Sequence, residues 1–253
     1  MKLNDLEKEL FRRLMIDEYP FDISMNGLQV APNEEKDIKK VAVSVDACQA
    51  TIDEAAAKGA DMLFVHHGLF WGSPLSLRGS HLARVRKLIE SDMALFACHL
   101  PLDAHPALGN NAQMALALGI REYDPFCSYK GKYIGFKGKL PMAMNTSEIS
   151  SLLGFSTNWG LRVLPFGKEM IESVAIVSGS GGDDLDQAMN ADVDCYITGE
   201  IGHVAYHTCL EEKFNVIAGG HYQTEVFGVR AVGRMLEKAL GIETFFIDRR
   251  TGL

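Results

Sequence analysis

Apolar residues recur at helical spacing in the first segment of the chain. Leu3, Leu6, Leu10 and Leu14 fall on one face of an α-helix, which should end before Pro20. The residues between them are mostly charged and would face solvent. The leucine face therefore predicts an amphipathic helix that packs against another element.

Short apolar runs then alternate with amphipathic stretches. The runs predict strands at 41–45, 62–65 and 94–97, and the stretches predict helices at 51–58 and 82–89. This β-α-β-α-β order with short connections predicts parallel strands joined by right-handed crossovers. The carboxyl ends of such strands meet at one edge of the sheet, where α/β proteins carry their chemistry.

The second half repeats this architecture without a visible repeat of sequence. Apolar runs at 174–177, 195–198 and 215–218 predict three more strands, with helices at 184–190 and 203–211. These strands should again be parallel, because each pair is joined through a helix. The predicted fold class is therefore α/β, with mostly parallel sheets flanked by helices.

Two segments lie outside these parallel sets. Alternating residues between 123 and 165 predict short antiparallel strands. Residues 225–240 predict a last helix, and 244–248 predict a last strand whose sheet the pattern does not identify.

The change near residue 124 from apolar runs with helices to alternating residues predicts a domain boundary. The first α/β domain would span 1–124 and the second 125–253. The C-terminal segment 226–253 is a candidate to pack back on the first domain.

Histidine and carboxylate side chains follow three of the predicted strands. They are His66 and His67 after the strand at 62–65, His99 and Asp103 after 94–97, and His221 and Glu225 after 215–218. Imidazole and carboxylate groups together suit first-row divalent metals. These strand ends therefore predict a metal site.

The doublet His66-His67 is ambiguous by itself. Consecutive strand residues face opposite sides, so both can join one cluster only where the strand breaks into a loop, which Gly68 permits. The alternative is one histidine in the core and one in solvent.

His221 and Glu225 are four residues apart. A helix that starts after Gly219-Gly220 would place both on one face, where they could hold one ion. The alternative is a helix N-terminus with a capping carboxylate.

The candidate ligands number five: His66, His67, Asp103, His221 and Glu225. A catalytic zinc usually has three protein ligands, so this set favours two divalent ions that share a bridging carboxylate and a water. Zn, Fe, Mn, Co and Ni all suit these ligands.

Other polar residues near the strand ends have weaker assignments. His203 and His207 also have i,i+4 spacing but lack the glutamate of H-E-x-x-H, which disfavours a zincin. Glu200 and His203 are candidates to orient a ligand or to handle protons. The glycine-rich segment 178–182 could hold a phosphate with its backbone amides, or form a tight turn with left-handed residues.

Composition excludes some classes of protein. The net charge is −8 and no basic run occurs, which disfavours a nucleic-acid partner. No apolar run approaches the ~18 residues of a membrane span, and the first ten residues lack the apolar core of a signal peptide. Five cysteines, odd in number and without C-x-x-C, indicate a reducing compartment, so we expect a cytoplasmic protein without a membrane partner.

Five blocks carry a resemblance to a known family. They are Asn26–Gln29 (NGLQ), Val65–Gly68 (VHHG), His99–Asp103 (HLPLD), Ile197–Glu200 (ITGE) and Gly220–Glu225 (GHYQTE). In order and spacing they resemble the Nif-three-like family, whose members are also labelled GTP cyclohydrolase I type 2 homologs. The resemblance spans essentially the whole chain.

The resemblance implies a fold, an assembly and a site. It implies two interlocked α/β domains, with the metal site at strand carboxyl ends between them, and a toroidal homohexamer whose metal sites face an internal cavity. It implies two ions per subunit at the five ligands named above, with Asp103 as the bridge.

These features together favour a metal-dependent hydrolase. Two ions would activate a water that attacks a small molecule, such as a purine nucleotide whose imidazole ring is opened in a GTP cyclohydrolase-type reaction. His99 or Glu200 would move the proton. The alternative is a non-catalytic metal-binding scaffold, or a metal-handling or regulatory protein. A third function, DNA binding through the ring, conflicts with the acidic charge.

Overall fold

The chain folds into two units, each with its own β-sheet. In the computed structural model, which describes residues 1–253, the first unit comprises Met1–Leu102 and Gly228–Arg249, and the second comprises Asp103–Phe227 and Arg250–Leu253. Both units combine a sheet with helices, which confirms the α/β fold class. The domain boundary that the texture of the sequence suggested stays a prediction.

Strands and helices alternate along most of the chain. The strands are β1 (Gly27–Val30), β2 (Lys40–Asp46), β3 (Met62–His67), β4 (Ala94–Ala97), β5 (Tyr123–Tyr129), β6 (Lys132–Met144), β7 (Arg162–Pro165), β8 (Ile171–Val177), β9 (Cys195–Thr198), β10 (Asn215–Ala218) and β11 (Glu243–Phe246). The helices are α1 (Leu3–Arg13), α2 (Gln49–Ala57), α3 (Gly79–Glu90), α4 (Leu100–Ala104), α5 (Asn110–Ala117), α6 (Thr146–Leu152), α7 (Leu185–Met189), α8 (Ala205–Glu211) and α9 (His221–Leu240). None of the helices combines the length and apolar character needed to cross a membrane.

The sheet of the first unit has five strands in the order β1-β4-β3-β2-β11. Strands β2, β3, β4 and β11 run parallel, and β1 runs antiparallel to β4. The three parallel strands predicted in the first half are therefore confirmed as neighbours. The last strand, which the sequence left without a sheet, pairs with β2 along Glu243–Phe246.

Helices cover both faces of this sheet. Leu6 and Leu10 of α1 are fully buried, and Phe11 of the same helix meets the ring of Phe96 edge-on at 6.2 Å. On the other face, α2 and α3 bury residues such as Ile52 against the strands. Each fully buried leucine side chain contributes about 1.5–3 kcal/mol to folding stability. The hydrophobic effect therefore holds the leucine face of α1 against the sheet, as its spacing predicts.

The sheet of the second unit has six strands in the order β5-β6-β8-β9-β10-β7. Strands β8, β9 and β10 are parallel, as predicted, and the others pair antiparallel. The expectation of only short antiparallel strands is wrong for β6, which spans 13 residues. It is long because its first part pairs with β5, and its pairing with β8 extends through an irregularity to Met144.

Two helix starts differ from the sequence prediction. Helix α8 begins at Ala205 rather than 203, and α9 begins at His221 rather than 225. The backbone of Gly220 is left-handed (φ +94), and a Cβ there would lie 2.5 Å from the carbonyl oxygen of Trp159. Only glycine fits that position, and α9 begins directly after it.

Candidate metal centre

The histidine doublet lies within strand β3. His67 pairs with Asp46 of β2, and its carbonyl accepts the backbone N–H of Ala47. The break expected at the doublet is therefore wrong, because pairing with β2 continues through His67. His66 is fully buried and His67 is partly exposed, yet their ring centroids are 4.6 Å apart.

Both imidazoles of the doublet are held through Nδ1. Nδ1 of His66 lies 2.9 Å from the carbonyl oxygen of Cys98, and Nδ1 of His67 lies 2.9 Å from Oδ1 of Asp46. A carbonyl or carboxylate oxygen can only accept a hydrogen bond, so Nδ1 carries the hydrogen in each ring. Nε2 is then the nitrogen that each ring can offer to a metal.

His99 follows β4 and is fixed by the segment before β1. Its Nδ1 lies 3.0 Å from Oδ1 of Asp22, and its backbone N–H donates to Oδ1 of Asn26 at 2.7 Å. The Asp22 side chain is only 1% exposed. Burial raises the pKa of Asp22, but the hydrogen bond and charge of His99, with donation from Asn26 and Ser24, outweigh it and hold that pKa below its usual range.

The three imidazoles of the first unit form one group. One ligand atom from each of His66, His67 and His99 lies within 4.8 Å of the other two. Two Zn–N bonds allow at most ~4.2 Å between ligand atoms, so small side-chain shifts would bring all three to one ion. His99 thus lies with the candidate ligands, and its role in proton transfer stays a prediction.

The loop after β3 is held by Gln29 of β1. Oε1 of Gln29 accepts the backbone N–H of Leu69 at 2.6 Å and that of Phe70 at 3.3 Å. A Cβ at Gly68 would lie 2.3 Å from this oxygen, so a side chain there would push the Gln29 amide away from the loop. The NGLQ block therefore acts through Asn26 on His99 and through Gln29 on the loop after His67.

In the second unit, Asp103 is a buried carboxylate with two donors on one oxygen. Its Oδ1 accepts Nδ2 of Asn110 at 2.8 Å and Oγ of Ser178 at 2.7 Å. The residue is 7% exposed. These two donors fix the orientation of the carboxylate.

His221 and Glu225 lie one helical turn apart at the N-terminal end of α9. Nε2 of His221 is 3.1 Å from Oε1 of Glu225, and the Glu225 side chain is 4% exposed. The helix start required by the i,i+4 prediction is therefore confirmed. Their ligand atoms are as close as two ligands of one ion would be.

Glu200, after β9, holds the other side of the His221 ring. Its Oε1 lies 2.5 Å from Nδ1 of His221. Burial lowers the pKa of His221, but hydrogen bonds and charges of Glu225 and Glu200 outweigh burial and raise it to about 9. The ring is therefore an imidazolium at neutral pH when no metal is bound, and a metal would replace the proton on Nε2.

The glycine-rich segment 178–182 forms a tight turn. Gly179 has a left-handed backbone (φ +64), and residues 181–184 form a 3-10 turn. The backbone N–H groups of Ser178 and Gly179 donate to Asn111 and Thr224. Of the two alternatives for this segment, the structure favours the tight turn, because these amides are used inside the protein.

The second histidine pair does not form a helical face. His203 precedes α8, which begins at Ala205, and His207 lies on the helix; both are exposed. The expected helical i,i+4 pair is therefore wrong, because the helix starts too late to include His203. The predicted role of His203, to orient a ligand or to handle protons, is not supported by any contact with the candidate ligands.

The fold and these side chains define a class of protein: an α/β protein with histidine and carboxylate groups, able to bind metal ions, at the ends of parallel strands. The chain belongs to the Duf34/NIF3 (NGG1p interacting factor 3) family, whose family model matches residues 1–252. This finding confirms the resemblance carried by the five sequence blocks.

Relatives match along the full chain. A protein of Archaeoglobus fulgidus is 44% identical over 253 residues and covers 100% of both chains. A protein of Treponema pallidum is 42% identical over 283 residues, covering 98% of this chain and 99% of its own. Both are named GTP cyclohydrolase 1 type 2 homolog.

Solved structures share the whole fold. Protein ybgI, described as of unknown function, superposes with a TM-score of 0.89 at 34% identity over 100% of both chains. TTHA1606 from Thermus thermophilus gives a TM-score of 0.88 at 37% identity, again over 100% of both chains.

Proposed function

We propose that this chain binds two divalent metal ions and is a metal-dependent hydrolase of a small molecule. The proposed ligands are His66, His67, Asp103, His221 and Glu225, with Asp103 as the bridge. The relatives named GTP cyclohydrolase 1 type 2 homolog make a purine nucleotide the first substrate to test.

One observation carries the metal proposal: each histidine of the set is held by an oxygen at Nδ1. The Nδ1 atoms of His66, His67 and His221 lie 2.9, 2.9 and 2.5 Å from such oxygens. Metal-binding histidines nearly always make this contact, because it fixes the ring and its tautomer. The histidines of the set are therefore suited to bind a divalent metal ion.

The donor set also fits the chemistry. Imidazoles with carboxylates suit Zn, Fe, Mn, Co and Ni, so the metal's identity is for experiment to decide. Bound ions would lower the pKa of a coordinated water and stabilise negative charge that develops on the substrate. The chain's own part is to fix the ligands and to move protons.

Two residues are proposed to move protons. His99 is held at Nδ1 by the buried Asp22, so its Nε2 lies on the opposite side of the ring. Glu200 contacts His221 through Oε1 and is about half exposed, so it can exchange a proton with solvent. General acid–base catalysis by such a group contributes roughly 10²–10⁴-fold to a rate.

The first experiment measures the metal content of the untagged full-length protein by plasma mass spectrometry. We expect about two ions per protomer and a loss of at least one in His67→Ala. His207→Ala is the matched control, because that histidine is exposed on α8. Protein without metal that also takes up none from solution would overturn the proposal.

The second experiment tests turnover. Metal-loaded protein is incubated with GTP, a phosphoester and a cyclic amide, and products are separated by chromatography. We expect metal-dependent opening of the purine ring, absent in His67→Ala. Full metal occupancy without turnover of any of the three substrates would favour the alternative, a metal-binding scaffold or metal-handling protein.

We also propose a ring of six copies in the cytoplasm, which the family resemblance supports. Light scattering on the purified protein should then give six times the 27.8 kDa of the chain. A monomer at micromolar concentration would contradict this part of the proposal.

A further inference from the structure

The turn that follows β8 touches more than one of the proposed metal ligands. Ser178 and Gly179 are both buried, and each meets a different part of the second unit's ligand set. This turn is the segment for which the sequence left phosphate binding open, and its contacts indicate another role.

Ser178 contacts Asp103 directly. Its hydroxyl donates to Oδ1 of Asp103 at 2.7 Å, and Asn110 of α5 donates to the same oxygen at 2.8 Å. The two oxygens of a carboxylate lie on opposite sides of its carbon. Two donors on Oδ1 therefore fix the direction in which Oδ2 points.

The turn is itself fixed from two sides. The backbone N–H of Ser178 donates to Oδ1 of Asn111 at 2.7 Å, and that of Gly179 donates to Oγ1 of Thr224 at 3.0 Å. Thr224 directly precedes Glu225 on α9. The same turn is thus tied to the helix that carries His221 and Glu225.

Gly179 lies against that second pair of ligands. A Cβ at this position would be 2.3 Å from Oε1 of Glu225 and 3.3 Å from Nε2 of His221. A side chain at 179 would therefore displace the glutamate. The absence of a side chain is what lets Glu225 occupy its place.

From these contacts we infer that the Ser178-Gly179 turn is a positioning element for metal binding, which holds Asp103 through a hydroxyl and leaves space for Glu225 and His221. The inference rests on the proposed function, since it takes these three residues as metal ligands. Ser178 and Asn110 are then positioning residues, which act on the metal through Asp103.

The test compares two serines of the same turn. Ser178→Ala removes the donor to Asp103, whereas Ser180→Ala removes an exposed hydroxyl that makes no cap hydrogen bond. Chelator-treated full-length proteins are titrated with Co²⁺, and the visible absorption spectrum reports both affinity and ligand geometry. Loss of a partner of this kind typically weakens metal affinity about 10–100-fold.

We expect Ser178→Ala to bind Co²⁺ roughly 10–100-fold more weakly with an altered spectrum, and Ser180→Ala to match the wild type. Asn110→Ala, which acts on the same oxygen from α5, should reproduce the effect of Ser178→Ala. A role in folding alone would lower the thermal midpoint of the metal-free protein without changing the spectrum of the bound metal.

The outcomes separate the two proposals. Wild-type protein that binds no Co²⁺ overturns the proposed function and this inference together. Wild-type binding with unchanged affinity and spectrum in Ser178→Ala and Asn110→Ala overturns this inference and leaves the proposed function standing. Loss of the fold in both variants also overturns it, because the contacts would then serve folding rather than the metal.

Discussion

The two units differ in their main candidate ligands and in the hydrogen bonds that hold those ligands. In the first unit the ligands are imidazoles, and acceptors hold them: the carbonyl of Cys98 and the carboxylate of Asp46. In the second unit the main ligands are carboxylates, and neutral donors from Asn110 and Ser178 hold Asp103.

The difference follows from what each ligand must be in order to bind a metal. A histidine that binds a metal through Nε2 must carry its hydrogen on Nδ1, and a hydrogen-bond acceptor at Nδ1 keeps it there. A buried carboxylate must direct an oxygen at the metal, and donors to its other oxygen fix that orientation. Each type of ligand therefore requires its own kind of hydrogen-bond partner: an acceptor for a histidine and a donor for a carboxylate.

The largest expected effect comes from a ligand in the second unit. Glu225→Gln keeps the size of the side chain but removes its charge at a position that is 4% exposed. We expect metal affinity to fall more than about 100-fold, since one charged ligand is lost from a set of five. Metal titration of the chelator-treated protein measures this fall.

Glu211→Gln is the matched control, because Glu211 is an exposed carboxylate on α8. It should leave affinity and stoichiometry unchanged. Equal affinities in Glu225→Gln and the wild type would remove Glu225 from the proposed ligand set.

A smaller effect is expected from the group that holds a first-unit ligand. Asp46→Asn keeps the shape of the side chain but replaces the ionised acceptor of His67 Nδ1 with a neutral amide. We expect a loss of metal affinity of about 10–100-fold, the usual effect of losing such a partner. The same titration gives the number.

Asp53→Asn on α2 is the control for this change, because Asp53 is exposed and accepts a hydrogen bond from Gln49 of the same helix. If Asp46→Asn binds metal as tightly as the wild type, the Asp46 acceptor contributes only to folding. The donors to Asp103 in the second unit would then be the contacts that still position a metal ligand.

The ligands were easier to predict from the sequence than the residues that hold them. The pair His221 and Glu225 follows from local signals: an apolar run, two glycines and helical spacing. The contacts of Asp22 with His99 and of Ser178 with Asp103 join residues 77 and 75 positions apart. No periodicity in one sequence encodes such a contact.

The same limit applies to the fold. The parallel strands could be predicted because each is a continuous apolar run between helices. The pairing of β11 with β2 could not, because the paired residues, Glu243 and Lys40, are far apart in the sequence. The sequence predicted that the strand breaks at His66-His67, and this was wrong for the same reason. Pairing with β2, which is distant in the sequence, extends β3 through His67.

The last expected effect is on folding stability rather than on metal affinity, and it concerns His221, which lies between the carboxylates of Glu200 and Glu225. Its pKa in the metal-free fold is about 9, above the ordinary 6.5, so protonation contributes stability. That contribution is fully present below pH 6.5 and is lost as the pH rises through 9. It amounts to at most ~3.4 kcal/mol, and solvent screening at the partly exposed ring lowers it. Unfolding of the metal-free protein by denaturant at several pH values measures it.

Glu200→Gln separates the two carboxylates, because Glu225 raises the pKa of His221 more than Glu200 does. The variant should titrate between 6.5 and 9 when the His221 ring is followed by NMR in metal-free protein. An unchanged pKa would mean that the half-exposed Glu200 is screened by solvent and does not hold the ring. His221 would then depend on Glu225 alone, and the second unit would lack the acceptor at Nδ1 that holds the histidines of the first.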